Sequence, residues 1–242
     1  MALHDLLSLL YPTSCLLCSQ GDVTLCPQCE PLLWSCTDIY RLHGLDLYSA
    51  LHYNEASAQL ILAAKEDNDR AASRYLAELM AMRFARAHRE LCRRSYVLVP
   101  VPSSRAADKR RGYQHMVILA RLAAQRISSE YGVSCHVKQA LVPVRKVADQ
   151  SRLTAAQRRE NMSGALSSSP GQVRGADGII LVDDLVTSGS TMGEALRALR
   201  AGSYEPDALL SACVAGRFLA NKIGTSLPAL RGTAKKEELW PC

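Results

Sequence analysis

GIILVDDLVTSGSTMG, residues 178–193, passes from a short apolar run to two acids, then to a loop of hydroxyls and glycine, then to a helical pattern. Ile179 to Val182 has the length and composition of a buried strand. Asp183 and Asp184 follow it, and Thr187, Ser188, Gly189, Ser190 and Thr191 form the loop. Met192, Ala195, Leu196 and Leu199 recur at helical spacing, with Gly202 as a C-terminal stop. The first N–H groups of a helix have no intrahelical partner, and the helix dipole adds positive charge there, so the loop suits a phosphate. Gly189 lets the backbone approach closely and the hydroxyls add donors. The two acids suit sugar hydroxyls or a hydrated Mg²⁺ rather than the phosphate. The plain alternative is an ordinary strand-to-helix turn with a capping residue.

This ordered series closely resembles the motif of type I phosphoribosyltransferases that binds 5-phosphoribosyl 1-pyrophosphate (PRPP). In that family the loop holds the 5′-phosphate and the acids meet the ribose. The resemblance implies PRPP contacts from Asp183, Asp184, Leu185, Val186, Thr187, Ser188, Gly189, Ser190 and Thr191, with Mg²⁺ accompanying the ligand. It is not a Walker loop, because no G-x-x-x-x-G-K-S/T occurs.

The 242 residues suffice for one or two domains with a core, and 48% are hydrophobic, as in a globular protein. No apolar run reaches the roughly 18 residues of a membrane span. The opening MALHDLLSLLYP has no basic n-region, so no signal peptide is expected. The net charge of +6 fits an anionic partner, either a phosphate ligand or nucleic acid. Nine cysteines, four of them closely spaced, point to a metal site in a reducing cytoplasm rather than to disulfides.

Leu3, Leu6, Leu7 and Leu10 share one face of an expected short helix that stops at Pro12. Cys15-x-x-Cys18 and Cys26-x-x-Cys29 then offer four thiolates, which suit tetrahedral structural Zn²⁺. A redox pair and an iron–sulfur site are the competing readings, and Cys36 is a spare thiol or a substitute ligand. Leu47 to Tyr53 reads as a strand, Gln59 to Lys65 as a helix, and 69–92 as a long helix carrying Arg83, Arg86 and Arg89, with Arg93 and Arg94 just beyond. Tyr96 to Val101 reads as a buried strand that enters Pro102-Ser103-Ser104-Arg105. Lys109, Arg110 and Arg111 crowd the next segment, and a helix runs to about Tyr131, stopped by Gly132. Cys135 to Leu141 reads as a further strand, Thr154 to Asn161 as a helix capped by Thr154, Ser167 to Gly175 as a linker, and Asp207 to Ala215 as the last strand. The tail from Arg217 lacks periodicity and is expected to be partly disordered.

Several of these segments together resemble the ComF family. Arg111-Gly112-Tyr113-Gln114-His115 is similar to its R-G-F-N-Q signature, with Gln114 and His115 departing from the usual amides. Gln150-Ser151-Arg152-Leu153 and Arg158 to Ala165 are similar to its Q-S-x-L and R-x-x-N-x-x-G-A elements, and Lys65 occupies a position where such proteins usually carry lysine. The resemblance implies a pyrophosphate-binding role for Ser103, Ser104 and Arg105, and a mobile hood over PRPP at 144–164. Asp183, Asp184 and Arg111 are the catalytic candidates. It also leaves a second class open: an accessory factor in DNA uptake, with single-stranded DNA on Arg83 to Arg94 and Arg105 to Arg111.

The expected fold is therefore α/β: a phosphoribosyltransferase-like parallel sheet flanked by helices, with a small four-cysteine zinc knuckle before it. The expected divisions are 1–38 for the first helix and knuckle, 39–94 for a helical connection, 95–216 for the main domain and 217–242 for the tail. Ligand is expected at the C-terminal ends of the parallel strands.

Overall fold

The computed structural model describes residues 14–147, 154–215 and 222–223, apart from 22, 34, 37, 170, 172, 174 and 176. The helix expected at 3–10, the segment 150–153 and nearly all of the tail lie outside the described residues. In chain order the strands are β1 (Ile39–Leu42), β2 (Leu45–His52), β3 (Ser95–Pro100), β4 (Ser134–Val137), β5 (Leu141–Pro143), β6 (Leu166–Ser168), β7 (Gly178–Val186), β8 (Ala208–Val214) and β9 (Lys222–Ile223). The helices are α1 (Glu55–Lys65), α2 (Arg70–Leu91), α3 (Arg105–Arg111), α4 (His115–Tyr131), α5 (Ala155–Met162) and α6 (Ser190–Ala201).

One sheet carries seven of these strands in the order β4-β3-β7-β8-β2-β1-β9. β4, β3, β7, β8 and β2 are parallel neighbours, while β1 pairs antiparallel with β2 and β9 with β1. The four expected parallel strands thus lie side by side. The stretch expected to be a helical connection also contributes two strands, with β2 registered on β8 from Leu47↔Leu209 to His52↔Val214.

The central strands read as nearly continuous apolar runs because helices cover both faces. Tyr96, Leu98, Ile180 and Val182 face the layer of α1, α2 and α4. Val97, Val99 and Leu181 face α6, Ala140, Leu141 and Leu166. The alternation at successive residues is the period-two pattern of a strand.

Local chemistry starts the helices where the sequence changes character. Asn54 and Ser57 form a reciprocal capping box for α1, and Asp69 accepts from the N–H groups of Ala71 and Ala72 at the start of α2. Thr154 caps α5 as expected, again in a capping box, with Gln157. Gly112 and Gly132 end α3 and α4 in the left-handed region that glycine enters without penalty.

Two expectations need correction. The strand expected from Cys135 to Leu141 ends at Val137, because the N–H of Ala140 turns back to the Lys138 carbonyl and the chain leaves the sheet. Leu141 to Pro143 then pairs antiparallel with Leu166 to Ser168, so the expected linker from Ser167 begins inside a strand. Among the described residues no helix is long and apolar enough to cross a membrane.

Phe84 anchors the larger core. It is fully buried, with its ring edge-on to Tyr96 at 4.9 Å and stacked on His88 at 5.9 Å, and His88 Nδ1 lies 2.9 Å from the Tyr96 hydroxyl. Phe84→Ala removes the ring from a close-packed site and should cost about 3–5 kcal/mol in urea unfolding. A cost below about 1 kcal/mol would show that this cluster collapses freely around the gap.

Candidate functional site

The strand in the 178–193 stretch is longer than the apolar run alone predicts. β7 continues through both acids to Val186, because its pairing with β8 persists at Asp183↔Ser211, Leu185↔Cys213 and Val186↔Val214. Asp183 and Asp184 are therefore buried inside the strand rather than standing beyond its end. The N–H of Asp184 donates to Asp183 Oδ1 at 3.0 Å, and that of Leu185 to Asp184 Oδ1 at 2.7 Å. On neighbouring strands Ser49, Ser211 and Asp183 fall in register as a buried polar row.

The two carboxyls sit in different electrostatic surroundings. Burial pushes Asp183 well above the ordinary carboxylate range, and the charge of Asp184 adds to this. Burial also pushes Asp184 upward, but Lys65, His115 and the N–H of Leu185 outweigh it and leave the group below its ordinary value. Lys65 comes from the last turn of α1, with Nζ 2.8 Å from Asp184 Oδ2. The ion pair holds Lys65 charged against the cost of its burial. The two carboxyls are thus pushed apart, Asp183 above and Asp184 below the ordinary carboxylate range.

His115 opens α4 and is 1% exposed, with Nε2 3.6 Å from Asp184 Oδ2. Burial lowers its pKa, Asp184 opposes this, and Lys65 and Arg111 reinforce it, so the ring is neutral at pH 7. The Arg111 side chain is 2% exposed and reaches Asp108 at 2.9 Å and Glu66 at 3.4 Å. It therefore ties the end of α3 to the residue after Lys65, and the Tyr113 hydroxyl donates to the Lys65 carbonyl at 2.7 Å.

Thr187 to Gly189 turn from β7 into α6. Gly189 is the N-cap, in the left-handed region at φ 73°, and makes no side-chain cap, while the Ser188 hydroxyl accepts from the Ser190 N–H at 3.4 Å. Ser188 and Ser190 hydroxyls lie 2.9 Å apart, and Arg158 of α5 donates to the Thr187 hydroxyl at 3.4 Å. The segment expected as a hood thus contacts the loop, and α5 packs on α6. Leu185 and Val186 belong to β7, and Thr191 is the second residue of α6. Ser103, Ser104 and Arg105 lie at the end of the neighbouring strand β3, where Ser104 caps α3 by accepting from the Ala107 N–H. Ser103 and Arg105 line a cavity of about 250 Å³ with Pro102, Asp108, Gln114 and Gln139.

Cys15, Cys18, Cys26 and Cys29 converge, with all four sulfurs within 4.8 Å of one another. The Cys18 and Cys26 sulfurs are 3.7 Å apart, close to the ~3.8 Å edge of a tetrahedron with 2.3 Å zinc–sulfur bonds. Burial opposes ionisation of Cys15, but the N–H groups of Cys18, Cys26 and Leu17 lower it to about 6. The Cys26 thiol, with burial, pushes Cys29 up to about 12, so deprotonating the set calls for a cation. The donor set fits structural Zn²⁺. Cys36 stands apart, its thiol directed at the Tyr40 hydroxyl at 3.5 Å.

The arginine runs expected as a DNA surface are engaged within the protein only in part. Arg83 donates to the Asp38 carbonyl and lies 6.0 Å from the Tyr48 ring centre, and Arg86 pairs with Glu90. Arg93 pairs with Asp207, and Arg110 with Glu66. Arg89, Arg94, Arg105 and Lys109 are exposed.

No protein-family model matches this chain, and no curated protein matches it. Solved structures to which it is similar include the hypoxanthine-guanine phosphoribosyltransferase of Leishmania donovani, at 18% identity over 59% of this chain and 70% of that one, with a TM-score of 0.31. A hypoxanthine phosphoribosyltransferase from Trypanosoma cruzi in a ternary substrates complex is 15% identical over 65% and 73%, with a TM-score of 0.34. The enzyme of Leishmania tarentolae in complex with GMP is 16% identical over 65% and 74%, with a TM-score of 0.27. These scores are low, and the sheet and loop geometry stand without them.

Two outcomes test the site. The purified protein should carry about one Zn²⁺, and Cys18→Ser or chelation should remove it and make residues 14–33 protease-sensitive while the sheet signal in circular dichroism persists. Zinc-free protein with an equally resistant N-terminal segment would overturn this. The Lys65–Asp184 pair stabilises the fold above pH about 4, and this contribution is lost as pH falls through the depressed pKa of Asp184. Lys65→Met leaves the buried carboxylate without its counter-charge, so its pKa rises above the ordinary value. Unfolding in urea should show a deficit of about 3 kcal/mol at pH about 7.5, at the low end for a broken pair because Lys65 is a third exposed. The deficit should shrink towards pH about 4, and a pH-independent deficit would contradict the pairing.

Proposed function

We propose that this chain binds PRPP across the C-terminal ends of β3 and β7 and transfers its phosphoribosyl group to a nucleophilic acceptor. The observation that carries the reading is the turn from β7 into α6. A buried acid pair, a hydroxyl loop and a helix turn with glycine at its N-cap follow one another within a few residues. The order β4-β3-β7 supports it further. The chain steps outward from β3 to β4 and returns to β7 on the other side of β3, and a crevice at such a switch point is the usual ligand site of an open α/β sheet.

In this reading the first N–H groups of α6 and the hydroxyls of Thr187, Ser188, Ser190 and Thr191 hold the 5′-phosphate. The ribose diol meets Asp183 and Asp184, whose opposite shifts favour a donating carboxyl beside an accepting carboxylate. Ser103, Ser104 and Arg105 at the end of β3 meet the pyrophosphate. Arg111 acts at one remove, as a strut between Asp108 and Glu66, and not as a direct ligand of the reacting atoms. The acceptor attacks C1 and forms the new bond there. The bond from C1 to the pyrophosphate oxygen breaks, and pyrophosphate leaves with the electron pair. Fixing the phosphate and diol places C1 for attack, and closure of α5 over Thr187 excludes water from a hydrolysable donor.

The acid pair is not an open carboxylate cage, and Asp183 and Asp184 would hold a Mg²⁺ arriving with the ligand through its water shell. When bound, the cation supplies charge neutralisation at the leaving group. The engagement of Arg83, Arg86, Arg93 and Arg110 by protein acceptors supports a small-molecule site over an extended DNA-binding face.

Calorimetric titration of PRPP, with and without Mg²⁺, tests the proposal. The wild type should bind with a dissociation constant well below millimolar, and an Asp183→Asn, Asp184→Asn double variant should bind at least about tenfold more weakly. Pyrophosphate release on addition of candidate acceptors then reads turnover. No binding to the wild type at millimolar PRPP would overturn the assignment.

A further inference from the structure

The β1–β2 hairpin closes through two residues, His43 and Gly44, with φ of 51° and 85°. Both values are positive, as a two-residue type I′ turn requires, and histidine is among the side chains that enter this region more readily than most. The tip of this hairpin meets the first turn of α6, far away in sequence. His43 Nε2 lies 3.0 Å from the Gly189 carbonyl oxygen, so the ring donates there as its Nε2–H tautomer. That oxygen also accepts the N–H of Gly193 at 2.8 Å, the first bond of the helix.

Gly193 sits inside a helix, where glycine costs about 1 kcal/mol relative to alanine. The structure supplies the reason. A Cβ on Gly193 would lie 2.5 Å from His43 Nε2 and 2.8 Å from its Cε1. The glycine leaves the slot that the imidazole fills, and ring and slot form one joint.

This joint bears on the phosphate loop through the planarity of the peptide unit. The carbonyl of Gly189 and the N–H of Ser190 belong to one plane and point in opposite directions. Two donors that fix the oxygen on one side also fix the N–H on the other, and Ser190 contributes the first N–H of the helix turn, which makes a long 3.4 Å bond to the Ser188 hydroxyl here and would face a phosphate. Gly189 is the residue least able to hold this orientation by itself, since its backbone is the most permissive in the loop.

We infer that His43 is a positioning residue for the phosphate loop, locking the Gly189–Ser190 peptide from the hairpin tip through the gap left by Gly193. The inference rests on the PRPP reading for the identity of the ligand and on the His43–Gly189–Gly193 contacts for the joint.

A four-variant cycle tests it, with PRPP and ribose 5-phosphate as probes and melting temperature as a second readout. His43→Ala should weaken both ligands by the same factor, about tenfold for one lost carbonyl hydrogen bond. His43→Gln, which keeps an amide donor, should recover most of that loss. Gly193→Ala should weaken binding about as much as His43→Ala, because the methyl evicts the ring. In the His43→Ala background the same Gly193→Ala change should cost nothing further in affinity. It should also raise the melting temperature, where it lowers it in the wild type. Additive losses, or a Gly193→Ala effect of one sign in both backgrounds, would overturn the joint. Failure of the wild type to bind either ligand would overturn the phosphate role together with the proposed function, and the sign of the melting-temperature change would still decide whether His43 seats the loop.

Discussion

Two adjacent carboxyls buried in a parallel strand would break most sheets, and the arrangement around Asp183 and Asp184 is what makes this one tolerable. A buried charge must be paired or neutralised. Both solutions are drawn on at neighbouring residues: burial pushes Asp183 towards its neutral form, and Lys65, 2.8 Å away, favours the ionised form of Asp184. Because Lys65 arrives from α1, the helix must end over the C-terminal end of β7. The helix follows β2, which lies beside β8, so the segment before β3 that joins the sheet is also the one that delivers Lys65.

The second distant contact follows the same logic. Lys65 reaches Asp184 across 119 positions and His43 reaches Gly189 across 146, and both come from the segment that joins the cysteine knuckle to β3. One sets the charge of the acid pair and the other sets the peptide orientation of the loop. The knuckle attaches to this same segment, through the Cys36 N–H to the Ala50 carbonyl and through Gln59 to the carbonyls of Leu16 and Leu17. The residues that touch the candidate site from outside are therefore carried on elements that the knuckle braces.

This division explains what could be read from the sequence. The apolar runs at 96–101 and 179–182, the caps at Thr154 and Gly132 and the paired CxxC hooks are local signals, and the structure places strands, helix ends and a thiol cluster there. The extension of β7 through two acids was hidden, since charge argues against a buried strand until the lysine that permits it is known. The β5–β6 pair, three residues on each side, is too short for periodicity to register. His43 carried a signal only in retrospect: a His-Gly dipeptide between Leu42 and Leu45 is a fair two-residue hairpin turn, but nothing in it names Gly193 as its partner.

The net charge of +6 is a poor guide to function here, because its location matters more than its sum. Several arginines that invite a nucleic-acid reading engage Asp38, Asp207 and Glu66 on other segments, and Arg86 pairs with Glu90 along its own helix. What distinguishes the candidate site is a smaller and less conspicuous feature, two adjacent carboxyls whose surroundings push their pKa values in opposite directions. Two ionised carboxylates would favour a bare dication. One neutral and one ionised group present a donor and an acceptor side by side, the complement of a vicinal diol, whose hydroxyls can each give and take. The buried setting that forces this inequality is created by residues such as Lys65 that no local motif contains.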